Sequence, residues 1–213
     1  MNQKMTKQLF LSQLHYINFL NKNGFHSPAI IHTINNDMYT YILDYKKRWV
    51  ILFDFVDKLT FPDLTDIQNV LSFAEYVGNL HLTSKRNQKE SYWYYQPISE
   101  EKRKLKDLSK FIVKTKRHFL DGLIKLKQAN TNSYQKLSSK LKFATLLNDL
   151  SEGNFYINNE DYTFLDWNMA SRGYFADEIA WIITWFFIKS NNIKNLSVFL
   201  KRYLEIFSLN KED

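Results

Sequence analysis

The chain has 213 residues, a hydrophobic fraction of 45%, an aromatic fraction of 16% and a formal net charge of +7. That composition supports a packed core and excludes a disordered chain, and the length suits one sizeable domain or two small lobes. There is no cysteine, so disulfides and thiolate metal sites are excluded, as fits a reducing compartment.

Residues 5–22 read as a helix, with Phe10, Leu14, Ile17 and Leu20 at helical spacing and Asn23-Gly24 as its stop. The N-terminal stretch that leads into it lacks the apolar core of a signal peptide. Residues 24–28 form a linker, because the residue before Pro28 favours an extended backbone. Two strands are expected next, over 38–43 and 48–55, joined by a charged turn. The run Trp49-Val50-Ile51-Leu52-Phe53 is apolar throughout and predicts a strand buried on both faces. Thr65-Asp66 caps a second helix with Ile67, Val70, Leu71, Ala74 and Val77 on its apolar side. His81 near its end has no ligand partner three or four residues away, so it reads as a packing or capping residue rather than a metal ligand.

Residues 99–128 read as a long basic helix with Glu100 and Glu101 in its first turn. Its lysines make either a solvated face or an electrostatic surface for an anionic partner. No nucleic-acid motif accompanies them, so nucleic acid ranks last among the expected partners. A shorter helix is expected over 134–146, a buried one over 175–189 and an amphipathic one over 193–207. The most apolar run, 179–188, falls far short of the ~20 residues of a membrane span, so a soluble cytoplasmic protein is expected.

Between these helices lies the stretch that carries chemistry. Phe155 and Ile157, then Phe164, alternate with polar or aromatic neighbours around a polar turn, which predicts a hairpin. Pairing symmetric about Glu160 sets Asn154 across from Asp166, at a Cβ separation of roughly 5 Å. An amide oxygen and a carboxylate at that spacing suit one hard cation, and Mg²⁺ prefers few protein oxygens together with phosphate oxygens. Asp149, on the loop that leads into the hairpin, adds a second carboxylate at the same mouth.

Asp149-Leu150-Ser151-Glu152-Gly153-Asn154, followed by Phe164-Leu165-Asp166-Trp167 and by Gly173-Tyr174-Phe175-Ala176-Asp177-Glu178-Ile179-Ala180, resembles the catalytic loop, metal-binding segment and supporting helix of the aminoglycoside phosphotransferase and choline kinase-like family, which also includes spore-coat kinase-like members. The last segment carries one inserted residue relative to the family's Gly-x-x-x-Asp-(Leu/Ile)-Ala pattern. The resemblance covers about residues 10–190 and is strongest over 147–180. It implies an α+β, protein kinase-like fold: a truncated small lobe over 1–57 (helix, two strands, hinge) and a mostly helical large lobe over 58–213, with the catalytic-loop hairpin at 147–166. It implies ATP and Mg²⁺ as cofactors, nucleotide as a partner and a small-molecule hydroxyl as the acceptor. Asp149 would take or orient the acceptor proton, Asn154 and Asp166 would hold the metal, the backbone of Asp54, Phe55 and Val56 would contact adenine, and Asp177 would support the catalytic loop.

The chain departs from the family at several points. Leu147 replaces the histidine and Asn148 the glycine of His-Gly-Asp, and Gln13 occupies the site of a helix glutamate that would pair with a phosphate-contacting lysine. The family's roof strands and that lysine would precede residue 5, and the five glycines form no Gly-x-Gly. Losing such a charge-stabilising clamp costs factors of ~10²–10³. Weak Mg²⁺-dependent nucleotide binding with little phosphate transfer is therefore expected. The alternatives are a pseudokinase-like binding or scaffold module and the remnant of a broken kinase gene.

Overall fold

The computed structural model describes residues 7–42, 48–87, 142–151, 153–158, 161–188 and 191–208. The expected basic helix at 99–128 lies outside them, as does the 134–141 part of the helix expected before the catalytic loop.

Helix α1, Lys7–Lys22, forms where the apolar spacing places it, and Phe10, Leu14, Ile17 and Leu20 are all buried. It ends on Gly24, whose φ of 85° supplies the left-handed turn. The Phe25 amide then donates to Leu20 O and the Gly24 amide to Asn21 O, closing the last carbonyls. The next strands are shorter than the sequence suggests. β2 (Thr40–Ile42) pairs antiparallel with β3 (Arg48–Val50), and β1 (Ile30–Ile31) pairs with β4 (Leu52–Phe53). The apolar run at 49–53 is thus not one strand buried on both faces: it breaks at Ile51 between two partners, and Leu52 is 62% exposed. A ladder of two strands covers only one edge of each, so continuous hydrophobicity does not enforce double burial here.

Helix α2, Ile67–Lys85, starts on Asp66, whose side chain accepts from the Gln68 amide. Its buried face runs through Val70, Phe73, Ala74, Val77, Leu80, His81 and Ser84. That face is rotated from the expected one, and Ile67 is left exposed. Gly78 lets the C-terminal helix approach closely, since a Cβ there would sit 2.9 Å from Ile206 Cγ2.

Residues 143–146, expected to be helical, form strand β5 (Phe143–Leu146), which pairs with β8 (Ser171–Tyr174). A four-residue segment such as Phe143-Ala144-Thr145-Leu146 is too short for periodicity to choose between helix and strand, and pairing with a segment that follows the hairpin decides it. The hairpin itself is β6 (Phe155–Asn158) with β7 (Asp161–Phe164). Its outer edges are tied down by Thr60, which exchanges backbone hydrogen bonds with Ile157, and by His26 O, which accepts from the Phe164 amide. Helix α3, Phe175–Ile182, runs into a π-helical turn, Ile183–Ile188, and α4, Ile193–Ile206, closes on α2.

One contiguous apolar core runs from Phe10 on α1 to Phe207 beyond α4. Phe73 lies at its centre, with ring contacts to Phe155, Tyr162, Phe186 and Phe199. These contacts seat the hairpin on α2.

Candidate active site

The loop between β5 and β6 is shaped by its first residues. Leu147 is 2% exposed and packs in the core, an apolar anchor for the start of the loop. Asn148 has φ of 60°, a left-handed conformation that asparagine tolerates better than most residues that carry a Cβ. The Asn148 amide group donates to Ser171 O and Ser171 Oγ, both at 3.0 Å, which locks the loop onto β8.

With the loop held in this way, Asp149 and Asn154 meet. Asn154 Nδ2 donates to Asp149 Oδ2 at 2.9 Å and to Asp149 O at 3.1 Å. Trp181, from α3, donates its indole Nε1–H to Asp149 Oδ1 at 3.0 Å, so both carboxylate oxygens are gripped. Nothing in the sequence singled out Trp181, since its partner lies 32 residues away. Asp166 is not directly across from Asn154. The hairpin pairs Phe155 with Phe164 and Asn158 with Asp161, so Asn154 faces Leu165, whose amide donates to Asn154 O at 2.9 Å. The symmetry axis falls half a residue earlier than one centred on Glu160. Asp166 follows in an exposed turn, where strand alternation no longer dictates its direction. There Asn168 donates its backbone N–H to Asp166 Oδ1 and its Nδ2 to Oδ2, both at 3.1 Å.

The hinge expected at 54–56 reaches this region through Phe53, whose ring meets Trp167 edge-on at 5.4 Å. Phe53 directly precedes the hinge and Trp167 directly follows Asp166. The Asp54 amide already donates to Ala29 O at 2.9 Å, which removes it from the groups expected to meet adenine. Phe55 is 91% exposed.

A hydrogen bond that supports the loop comes from Glu178, the neighbour of Asp177. Phe175, Glu178, Ile179 and Ile182 form the buried stripe of α3, at spacings of three, one and three residues, while Asp177 falls off that stripe and is exposed. β8 runs to Tyr174 and sets where the helix begins, so the inserted residue moves the inward acid one place along. Glu178 Oε1 accepts from the Asn148 amide at 2.6 Å, and Oε2 accepts from His81 Nε2 at 2.7 Å. His81 is fully buried, and its Nδ1 lies 2.8 Å from the Tyr203 hydroxyl. With Nε2 donating to the carboxylate, neutral imidazole leaves Nδ1 to accept from that hydroxyl. His81 is thus a buried structural bridge, as its lack of ligand-spaced partners suggested. Burial first, and then the charge of Glu178, push the Tyr16 and Tyr203 hydroxyls above their ordinary value of 10.0. Sequence could have found Glu178, because it is the acid directly before Ile179-Ala180, as in the family pattern.

The donor set suits a hard cation. The Asn154 amide nitrogen is turned to Asp149, which leaves its Oδ1 for a metal. Asp166 brings a carboxylate that two N–H groups already orient and that keeps lone pairs to spare. Among the described residues no three His, Cys, Asp or Glu side chains converge on a metal site.

No family model matches the chain, and no curated protein matches it in sequence. Solved structures do match, and they define the class: this is the protein kinase-like fold of the aminoglycoside phosphotransferases and choline kinases, in α+β form. An amicoumacin kinase, solved with AMP-PNP, Ca²⁺ and Ami, is similar over 96% of this chain and 64% of its own, with a TM-score of 0.68 at 17% identity. A microcompartment-associated aminopropanol kinase is similar over 100% of this chain and 70% of its own, with a TM-score of 0.71 at 12% identity. The choline kinase of Cryptosporidium parvum Iowa II is similar over 100% of this chain and 67% of its own, with a TM-score of 0.54 at 15% identity. The chain thus spans about two thirds of the length of these kinases. Among the described residues no helix is long and apolar enough to cross a membrane.

Proposed function

We propose that the chain is an ATP- and Mg²⁺-dependent phosphotransferase-like protein acting on a small-molecule hydroxyl. The observation that carries this reading is the Asp149–Asn154 pair, held at the mouth of a hairpin whose second strand leads directly to Asp166. Asp149 would orient the acceptor hydroxyl and take its proton, with its carboxylate fixed by Asn154 and Trp181. Asn154 Oδ1 and Asp166 would hold the metal, which supplies charge neutralisation at the β- and γ-phosphates. The hinge would meet adenine through the backbone of Asp54, Phe55 and Val56, and it would divide a small-lobe portion over 1–57 from a large-lobe portion over 58–213. Nucleotide ligands in a solved kinase of the same fold support this reading.

A second reading, a nucleotide-binding module without turnover, is favoured by one observation: Leu147, directly before the Asn148-Asp149 pair, is a core residue rather than a polar group facing the site. One experiment separates the two. ATP is titrated with and without Mg²⁺, and turnover is measured against a panel of small hydroxyl compounds. Asp166→Ala should abolish the Mg²⁺-dependent part of binding, whereas Asp149→Ala should leave binding intact and remove any turnover. Binding without turnover in the unsubstituted chain selects the second reading. No binding in either condition rejects both.

A further inference from the structure

Gln13 is 1% exposed and sits on the inward face of α1 among Phe10, Leu14 and Ile17. A polar side chain so deeply buried is destabilising unless its hydrogen bonds are made. Its Nε2 donates to the carbonyl oxygen of Asn168 at 2.5 Å, a contact that spans 155 residues of sequence. Asn168 is also the residue that grips both oxygens of Asp166, with its backbone N–H and its side-chain amide. Helix α1 is itself a fixed support: Leu14, Ile17 and Leu20 are fully buried, and the Tyr16 hydroxyl bonds Ser84 of α2 at 2.7 Å. On the other flank of the turn, Trp167 is buried and the Ala170 amide donates to Trp167 O at 2.9 Å.

We propose that Gln13 is a positioning residue, which sets the Asp166 carboxylate from helix α1 through Asn168. This rests on the reading of Asp166 as a metal ligand, but the contact itself does not. The assignment also gives the departure at position 13 a meaning. Asn168 presents a carbonyl, which needs a donor, and a glutamine amide supplies one where a glutamate carboxylate at neutral pH cannot. Residue 13 is then suited to holding the Asp166 turn rather than to pairing with a cation.

The sign of one substitution tests this. In the full chain, Gln13→Met keeps the volume and removes the donor. Hydrogen exchange of the Asn168 amide, measured without nucleotide, should quicken by about fivefold, the scale of one lost hydrogen bond, while the core amides of α1 stay unchanged. The Mg²⁺-dependent part of ATP affinity should fall by a similar factor, with metal-free affinity unaltered. Gln13→Glu should weaken that part at least as much. Tighter binding by Gln13→Glu would show that the position serves a cation pair and would overturn the proposal, as would unchanged Asn168 exchange in Gln13→Met. If the unsubstituted chain binds no ATP, the phosphotransferase reading fails, and the exchange measurement still decides whether Gln13 orders the turn. If Gln13→Met does not fold, Asn168→Ala at its exposed site takes its place. It must weaken the Mg²⁺-dependent part of binding, and an unchanged value would overturn the proposal.

Discussion

At the scale of single residues, the catalytic-loop stretch depends on a few side chains that each satisfy a backbone or carboxylate group. Glu178 links the Asn148 amide to His81; the first contact is part-buried and the second buried. Breaking a buried, charge-assisted contact of this kind costs about 3 kcal/mol. Glu178→Ala should therefore lower the urea unfolding free energy by about that amount, while Asp177→Asn, at an exposed position, should change it by less than ~1 kcal/mol. Equal losses in the two variants would refute the assignment of support to Glu178. Trp181 invites a different experiment, since Trp181→Phe keeps an aromatic ring and loses only the Nε1 donor to Asp149. We expect ATP affinity to be unaffected and turnover, where it is detected, to fall by roughly tenfold, as when a group that orients a general base is loosened. A change in ATP affinity instead would place Trp181 on the nucleotide side of the site.

At the scale of elements, the site depends on the fit between β8 and the loop before Asp149. A Cβ on Gly173 would lie 2.1 Å from Asn148 Oδ1. Asn148 has little room to yield, because its φ is left-handed and its amide is bonded to Ser171. Gly173→Ala should therefore cost about 1–3 kcal/mol, the usual scale of overpacking, visible as a lower thermal midpoint. The same variant combined with Asn148→Gly should recover most of that loss, because the clashing side chain is gone. Failure of the double variant to recover would mean that Gly173 is needed for β-pairing and not for the loop. The π-helical turn after α3 belongs to this scale too. It lies where α3, which carries Trp181, leads into a segment whose Phe186 and Phe187 are buried. Trp181 and Trp185 meet edge-on at 5.9 Å across that junction.

For the whole molecule, the core is rich in buried tyrosines, and this sets a pH limit. Burial pushes the hydroxyls of Tyr16, Tyr76, Tyr162 and Tyr203 above their ordinary value of 10.0. A group whose folded-state value is raised favours the protonated, folded form. Its stabilisation is fully present below the unfolded value near 10.0 and is lost as pH rises through the folded value. Stability from these groups should be flat through neutral pH and should decline above about pH 10. Denaturant midpoints from pH 7 to 11 test this, and a midpoint constant to pH 11 would contradict the burial of these hydroxyls. Tyr203→Phe should remove part of the alkaline loss, although it also removes the partner of His81 Nδ1.

What the sequence determined by itself was whatever depends on neighbours close along the chain. The stripe of α1, the Asp66 cap of α2 and the hairpin all follow from local spacing. The resemblance of three short segments also foretold the fold that the solved kinases share. Tertiary structure decided the rest. A four-residue segment became strand β5 because β8 offered it an edge. The run at 49–53 broke because its two halves found different partners. Asp166 moved out of register with Asn154 because pairing, not symmetry about a chosen residue, sets a hairpin's axis. Glu178 turned inward and Asp177 outward because the end of β8 fixes the phase of α3, and a shift of one residue turns a helical side chain by about 100°. Contacts such as Gln13 to Asn168 join residues far apart in sequence. Nothing in local periodicity encodes them, and only the packed core brings their two ends together.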